Sequence, residues 1–192
     1  DAFTGDRLKN ANIRGVEELS NLVPGLQSSI ALSNETPLHT LRGIGTFDFI
    51  GNNQSPIGVH LDGFYRGVNS LMAGQLFDLE RVEVLKGPQG TLYGKNSSGG
   101  AVNYYTTKPS LEKTEGNVIL TAGDLSLTEF KFAYNVPLSE NFAIRLAGAT
   151  ADRDGWIKHA TNSDLDNGTI DHHGLRLSAL WSPSETTEVI LE

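Results

Sequence analysis

The stretch from Arg81 to Asn103, RVEVLKGPQGTLYGKNSSGGAVN, opens as one alternating strand and closes as another. Between the two, residues 86–100 hold five glycines, one proline and two lysines. A backbone so irregular first suggests a phosphate cradle. A P-loop, however, needs G-x-x-x-x-G-K-[ST] ahead of a helix. Here Gly94-Lys95 is followed by Asn96, Gln89 stands where the first glycine belongs, and residues 101–107 read as a strand. A nucleotide site would also need a helix N-terminus, for its dipole and free N–H groups. The stretch therefore reads as two strands joined by a glycine-hinged connector, with Lys86 and Lys95 as surface charges.

Outward from this point, the bulk properties narrow the choice of class. A chain of 192 residues fits one or two domains. Its 15 basic and 23 acidic side chains give a net charge of −8, which argues against a nucleic-acid partner. The 21 glycines exceed the average usage of about 7%, so tight turns and close backbone approaches are expected. With no cysteine, disulfides, thiolate metal sites and cysteine nucleophiles are excluded. No apolar run approaches the roughly 18 residues of a transmembrane helix. Residues 1–10 lack the layout of a signal peptide, and residues 188–192 look like a strand cut short. A fragment trimmed at both ends is the expectation.

Composition and pattern divide the chain near Lys108-Pro109, into 1–109 and 110–192. In the first part, Thr4-Gly-Asp-Arg-Leu8 begins like a capped helical turn. Residues 16–23 predict a helix with Val16, Leu19, Leu22 and Val23 on one face, stopped by Pro24-Gly25. Strands are expected at roughly 26–32, 38–44, 56–62, 81–85 and 101–107. Asp62-Gly63 is a turn pair, and a short helical turn is expected around 70–76. This is an α+β domain with a small mixed sheet.

The second part alternates over longer segments. In 127–138, Phe130, Phe132, Tyr134, Val136 and Leu138 alternate with Glu129, Lys131, Ala133 and Asn135. In 141–152, Phe142, Ile144 and Leu146 alternate with Ala143, Arg145 and Ala147. In 173–181, His173, Leu175, Leu177, Ala179 and Trp181 alternate with Gly174, Arg176 and Ser178. Segment 116–123 is a weaker fourth strand, and 186–192 starts a fifth. About ten residues suit a tilted strand crossing a bilayer. An apolar face opposite a polar or small one is the pattern of outer-membrane barrels. A soluble β-sandwich alternates too. Aromatics near strand ends (Phe130, Tyr134, Phe142, Trp156, Trp181) and connections that alternate short (139–140, 182–186) with long (153–171) favour the barrel.

Sites for chemistry find little support. The loop 162–168, NSDLDNG, has oxygens at calcium-loop spacing, but its glycine comes one residue late and no Glu holds the twelfth position. His172 and His173 point to opposite sides of a strand, and His39 and His60 read as isolated structural histidines. Asn34, Asn96 and Asn167 head short Asn-x-Ser/Thr triplets that chance supplies. Glu17-Glu18 sits where a helix N-terminus favours negative charge, and Glu83 shares a strand face with Arg81. No Ser–His–Asp arrangement stands out. No cofactor, resident metal or catalytic residue is expected.

Four segments carry a resemblance. Leu41-Arg-Gly-Ile-Gly45, then PIGVHLDG at 56–63, DLERVEVLKGPQGTLYG at 78–94 and SGGAVN at 98–103 resemble the plug-domain motifs of TonB-dependent outer-membrane receptors, in that family's order and spacing. The match covers about residues 3–108, and 116–192 resemble the family's opening barrel strands. The resemblance implies a plug inside a 22-stranded barrel in the outer membrane of a Gram-negative bacterium. It implies a scarce nutrient as ligand, a ferric siderophore, haem, cobalamin or a glycan, imported with energy from the inner-membrane TonB complex. The segment that contacts TonB is not among the matching residues. Lys86-Gly-Pro-Gln-Gly90 resembles the siderophore and cobalamin branch more than the glycan branch. Arg42, Arg81, Glu83 and Lys86 correspond to plug charges that dock against the barrel wall. Gly87, Gly90, Gly94, Gly99 and Gly100 are expected to hold backbone conformations closed to other residues. The upward loops 46–54 and 66–72 offer Phe47, Phe49, Asn52, Asn53, Tyr65 and Arg66 as ligand contacts. The rival reading is a soluble β-rich binding or adhesin domain.

Overall fold

The structure is a computed structural model that describes residues 1–192 except 12, 14, 32–35, 47–53, 68–75 and 159–167. The chain forms two compact units, Asp1–Thr106 and Thr107–Glu192, where the sequence placed the division at Pro109.

The first unit begins with strand β1 (Ala2–Thr4) and helix α1 (Gly5–Asn10), whose N-cap Thr4 accepts a hydrogen bond from the Arg7 N–H. The helix predicted over 16–23 is instead a 3₁₀ turn, Glu17–Asn21. Val16 supplies no side-chain cap there, and Pro24 disfavours helical geometry at Val23. Val16, Leu19 and Val23 are nonetheless buried together, as their spacing requires. Strands β2 (Leu26–Ala31), β3 (Thr36–Leu41) and β4 (Ile44–Gly45) form one antiparallel sheet. Strands β5 (Ile57–Leu61), β6 (Phe64–Tyr65), β7 (Leu79–Lys86) and β8 (Gly100–Thr106) join β1 in a second sheet, ordered β1-β7-β8-β5-β6. Only the β5–β8 pair is parallel, so this sheet is mixed. The helical turn expected around 70–76 falls largely outside the described residues.

Alternation sets the two faces of the mixed sheet. Ile57, Val59, Leu61, Val82, Val84, Val102 and Tyr104 point into one core with Leu8, Leu19, Val23, Leu26 and Leu41. Each such burial stabilises the fold by roughly 1.5–3 kcal/mol for a Val- or Leu-sized side chain. The other face carries Gly58 and His60 on β5, Asn103 and Tyr105 on β8, and Arg81 and Glu83 on β7, lined up by register. Two tight turns use left-handed pairs: Arg42 (φ 53°) with Gly43 (φ 79°), and Asp62 (φ 50°) with Gly63 (φ 82°). The Asp62 carboxylate also accepts from the Thr106 N–H at 2.8 Å, tying its turn to the end of β8.

The second unit is an antiparallel meander of β9 (Glu115–Ala122), β10 (Thr128–Ser139), β11 (Phe142–Arg153), β12 (Ile170–Ser184) and β13 (Thr187–Leu191). Strand β12 runs 15 residues, longer than the predicted 173–181. The register stacks Val118, Phe132, Gly148 and Leu175 in one row, and Tyr134, Leu146 and Leu177 in the next. Leu175 is 72% exposed and Leu177 59%, whereas on the opposite face Ala147 is 1% and Asn135 0% exposed. Large apolar side chains are out and small or polar ones are covered, the reverse of a soluble sheet. Aromatic rings cover two glycines of the apolar face. A Cβ on Gly148 would lie 2.5 Å from the Phe132 ring, and one on Gly116 2.6 Å from the Tyr134 ring. Tyr134 thus sits mid-strand over a glycine rather than at a strand end, while Phe142 and Trp181 face each other beside the short turns. The short connections, 140–141 and 185–186, lie at one end of the meander, and 123–127 and 154–169 at the other. The Asn135 amide holds the approach to β9 by bonding Ser110 through both its oxygen and its nitrogen, and the Lys113 carbonyl at 2.8 Å.

Candidate functional site

The polar face of the mixed sheet is crossed by the connector between β7 and β8. After β7 the chain turns through Gly87 and makes one turn of helix α2 (Gly90–Tyr93). It then closes on itself through Gln89 N–H to Ser97 O (2.8 Å) and Gly87 N–H to Gly99 O (3.1 Å). The connector is therefore more ordered than its composition suggests. Its five glycines split by cause. Gly87 (φ 90°), Gly94 (φ 73°) and Gly100 (φ 152°) hold left-handed backbone. Gly99 needs close approach instead, since a Cβ there would lie 2.6 Å from Ile44 and 2.8 Å from Ile57. Gly90 shows neither a positive φ nor a neighbour within 4 Å, so the expected constraint is absent at that position.

Beneath the connector, the His60 ring lies between two tyrosines, 5.6 Å from the Tyr65 ring and 5.0 Å from that of Tyr93. Burial lowers the pKa of His60, keeping the ring neutral. Above it, Tyr65 donates to the Gln54 side-chain oxygen at 3.1 Å. Asn96 Nδ2 donates to the same oxygen at 2.6 Å and to the Tyr65 hydroxyl at 2.7 Å. Of the expected ligand contacts, the structure thus describes Tyr65 and Arg66. Arg66 donates its backbone N–H to Val59 O at 2.8 Å, and its buried Nε makes no hydrogen bond among the described residues. Phe47, Phe49, Asn52 and Asn53 lie outside the described residues, as does the calcium-like loop up to Asn167. In the sequence, Asn96 heads only a chance triplet and His60 stands isolated. Their signal, contact with segments far along the chain, has no local pattern.

Three of the four expected docking charges, Arg81, Glu83 and Lys86, are partnered within their own unit. Arg81 pairs with Glu80 at 2.7 Å and Glu83 at 2.8 Å, and its guanidinium stacks 3.7 Å over the Tyr105 ring. The hydrogen bond to Glu83, with Glu80 adding to it, raises the Arg81 pKa further. Burial, and then the Glu83 charge, push the Tyr105 phenol up. Lys86 pairs with Asp1 at 2.6 Å. Arg42 occupies the exposed left-handed corner of its hairpin. In the smaller sheet, His39 is buried with Nδ1 on the Ser28 hydroxyl at 2.9 Å, and burial lowers its pKa to about 4. His172 and His173 alternate faces on β12. Among the described residues, no three His, Asp or Glu side chains converge to hold a metal. No described helix is long and apolar enough to cross a membrane.

A mixed-sheet domain followed by long strands with an apolar exposed face and a small, polar covered face is the element order of a plug domain and the opening strands of an outer-membrane barrel. The family model described as TonB-dependent Receptor Plug Domain matches residues 1–101, and the chain belongs to the TonB-dependent receptors. It is 30% identical to the ferrioxamine receptor of Yersinia enterocolitica across 98% of this chain and 25% of that protein. It is 34% identical to the vitamin B12 transporter of Vibrio vulnificus across 53% of this chain and 18% of that one. The crystal structure of the ferric yersiniabactin uptake receptor of Yersinia pestis superposes with a TM-score of 0.83 and 25% identity, over 96% of this chain and 29% of that one. The chain spans about a quarter of the length of the ferrioxamine receptor it matches.

Proposed function

We propose that the chain is the plug and opening barrel strands of an outer-membrane receptor that binds a ferric siderophore or similar metal complex and imports it with energy from the TonB complex. The observation that carries this reading is similarity to siderophore receptors over nearly the whole chain, plug and strands alike. Iron is cargo here, and the chain performs no chemistry on it. Strands β9–β13 open a 22-stranded barrel, with Leu146, Leu175 and Leu177 towards outer-membrane lipid. Residues 1–109 form the plug and 110–192 the barrel portion. Tyr65 and Arg66, with Phe47, Phe49, Asn52 and Asn53, contact the ligand. Arg42, Arg81, Glu83 and Lys86 meet charges on the wall of the complete barrel. Because truncating one partner of a desolvated pair leaves the other uncompensated, Arg81→Ala and Glu83→Ala should raise antibiotic permeability.

The test is uptake in a deletion strain carrying the full gene, with radiolabelled ferric ferrioxamine B, ferric yersiniabactin, haem and cobalamin as probes. Gene-dependent uptake of a ferric siderophore that vanishes when TonB is absent is the expected result. Uptake of cobalamin or haem alone would move the ligand to that class. Gene-independent uptake of all four, or uptake indifferent to TonB, would overturn the reading.

A further inference from the structure

Asn96 joins three segments distant in sequence. Its side-chain nitrogen carries two hydrogens, and both are used: one on the Gln54 oxygen, 42 residues away, the other on the Tyr65 hydroxyl, 31 residues away. The Tyr65 hydroxyl closes the ring by donating to the same Gln54 oxygen. Gln54 directly follows residues 47–53, and Tyr65 precedes residues 68–75 by a few positions, so the ring ties the ends of the two upward loops together. The third member, Asn96, belongs to the glycine connector.

The backbone around Asn96 is built to present that amide. Asn96 holds φ 62°, a left-handed conformation that asparagine tolerates better than most residues. Ser97 fixes the turn through its hydroxyl to Gly94 O at 2.7 Å. Below, Gly58 leaves just enough room: a Cβ there would lie 3.0 Å from His60 Cε1 and 3.3 Å from Ser97 Cβ. The Tyr65–His60–Tyr93 cluster joins the same segments through tilted ring contacts, with His60 3% exposed, and forms a buried floor. The hydrogen-bond ring above it is largely solvent-exposed, where bonds exchange readily with water.

We propose that Asn96 is a positioning residue, a latch that couples the ends of the two ligand loops to the order of the 87–99 connector. A ligand that moves Gln54 or Tyr65 breaks two of the three bonds at once and leaves the connector held to the loops by a single hydrogen bond of Asn96, without disturbing the sheet beneath. The proposal rests on the receptor reading above and adds the route by which occupancy reaches the connector.

The test is hydrogen exchange on the full-length receptor in detergent, with and without ferric ferrioxamine B. Asn96→Gly removes the amide and keeps the left-handed backbone. Tyr65→Phe removes the hydroxyl and keeps the ring cluster. Without ligand, each variant should raise exchange at residues 94–97 and 64–66 roughly tenfold, leave 82–85 and 101–105 unchanged, and combine with the other to less than the sum of the two effects, since both remove the Asn96–Tyr65 bond. With the probe bound, wild type should raise its connector exchange, while Asn96→Gly, with no latch to open, binds up to about tenfold more tightly than wild type and shows no such change. Unaltered connector exchange in the ligand-free variants, additive effects, or the same ligand response in wild type and Asn96→Gly would each overturn the latch. If the probe fails to bind wild type, ferrioxamine B is excluded as the ligand, and the ligand-free comparison still decides the latch.

Discussion

His39 gives the unit a built-in acid lability whose size follows from its surroundings. Its side chain is 1% exposed on β3, with Nδ1 paired to Ser28 at 2.9 Å and Nε2 without a hydrogen-bond partner among the described residues. Burial alone lowers its pKa from 6.5 to about 4. The unfolded chain therefore binds more protons than the folded one between those two values, and stability must fall as pH drops through that window. The contribution is complete above pH 6.5 and lost progressively down to about pH 4, a total of about 3 kcal/mol at 1.36 kcal/mol per unit. At pH 5 about 2 kcal/mol is already gone, which is roughly a 30-fold rise in the opening equilibrium. Native-state hydrogen exchange on β2 and β3 of the full-length receptor, corrected for intrinsic rates, reads that rise directly. His39→Gln removes the titration and retains an amide able to bond Ser28, so its exchange should show a slope shallower by up to one proton per molecule. His60, which titrates in the same sense, cancels in the comparison. Equal slopes for wild type and His39→Gln between pH 7 and 5 would refute the argument.

Three further outcomes follow from particular contacts. Gly100→Ala would place a Cβ 2.4 Å from Leu85 O at φ 152° and should cost about 3 kcal/mol or more, whereas Gly90→Ala, with open space around it, should be neutral or stabilise by up to about 1 kcal/mol; the temperature at which the full-length receptor loses its folded gel mobility compares the two. Tyr104→Phe removes a buried hydroxyl that has no hydrogen-bond partner among the described residues, so it should leave stability unchanged or raise it by up to about 1 kcal/mol in urea titrations, and a clear loss would mean the hydroxyl is satisfied. Leu177→Arg on the apolar face should cost about 2–4 kcal/mol and deplete assembled receptor from outer-membrane fractions, while Leu177→Phe is tolerated; normal assembly of the arginine variant would show that this face does not meet lipid.

Which features the sequence disclosed depends on the range over which they are determined. The faces of β10, β11 and β12 were legible because side-chain direction alternates with every residue, and Leu146 and Ala147 declare their faces without knowledge of any partner. The turn at Asp62-Gly63 was legible for the same local reason. Gly90 and Gly99 show the limit. Both look like hinge glycines, yet Gly99 is required by Ile44 and Ile57 from other segments, and Gly90 by nothing within 4 Å. Asn135 and Asn96 lie beyond that limit altogether. Each is an ordinary polar residue at its own position. Each becomes a junction only because folding brings Ser110 and Lys113, or Gln54 and Tyr65, within hydrogen-bond reach. Under the proposed function, the domain binds at its loops and rearranges in its interior. The residues that link the two tasks are therefore the long-range ones. Periodicity locates the scaffold, and coupling has to be sought in the side chains whose partners lie tens of residues away.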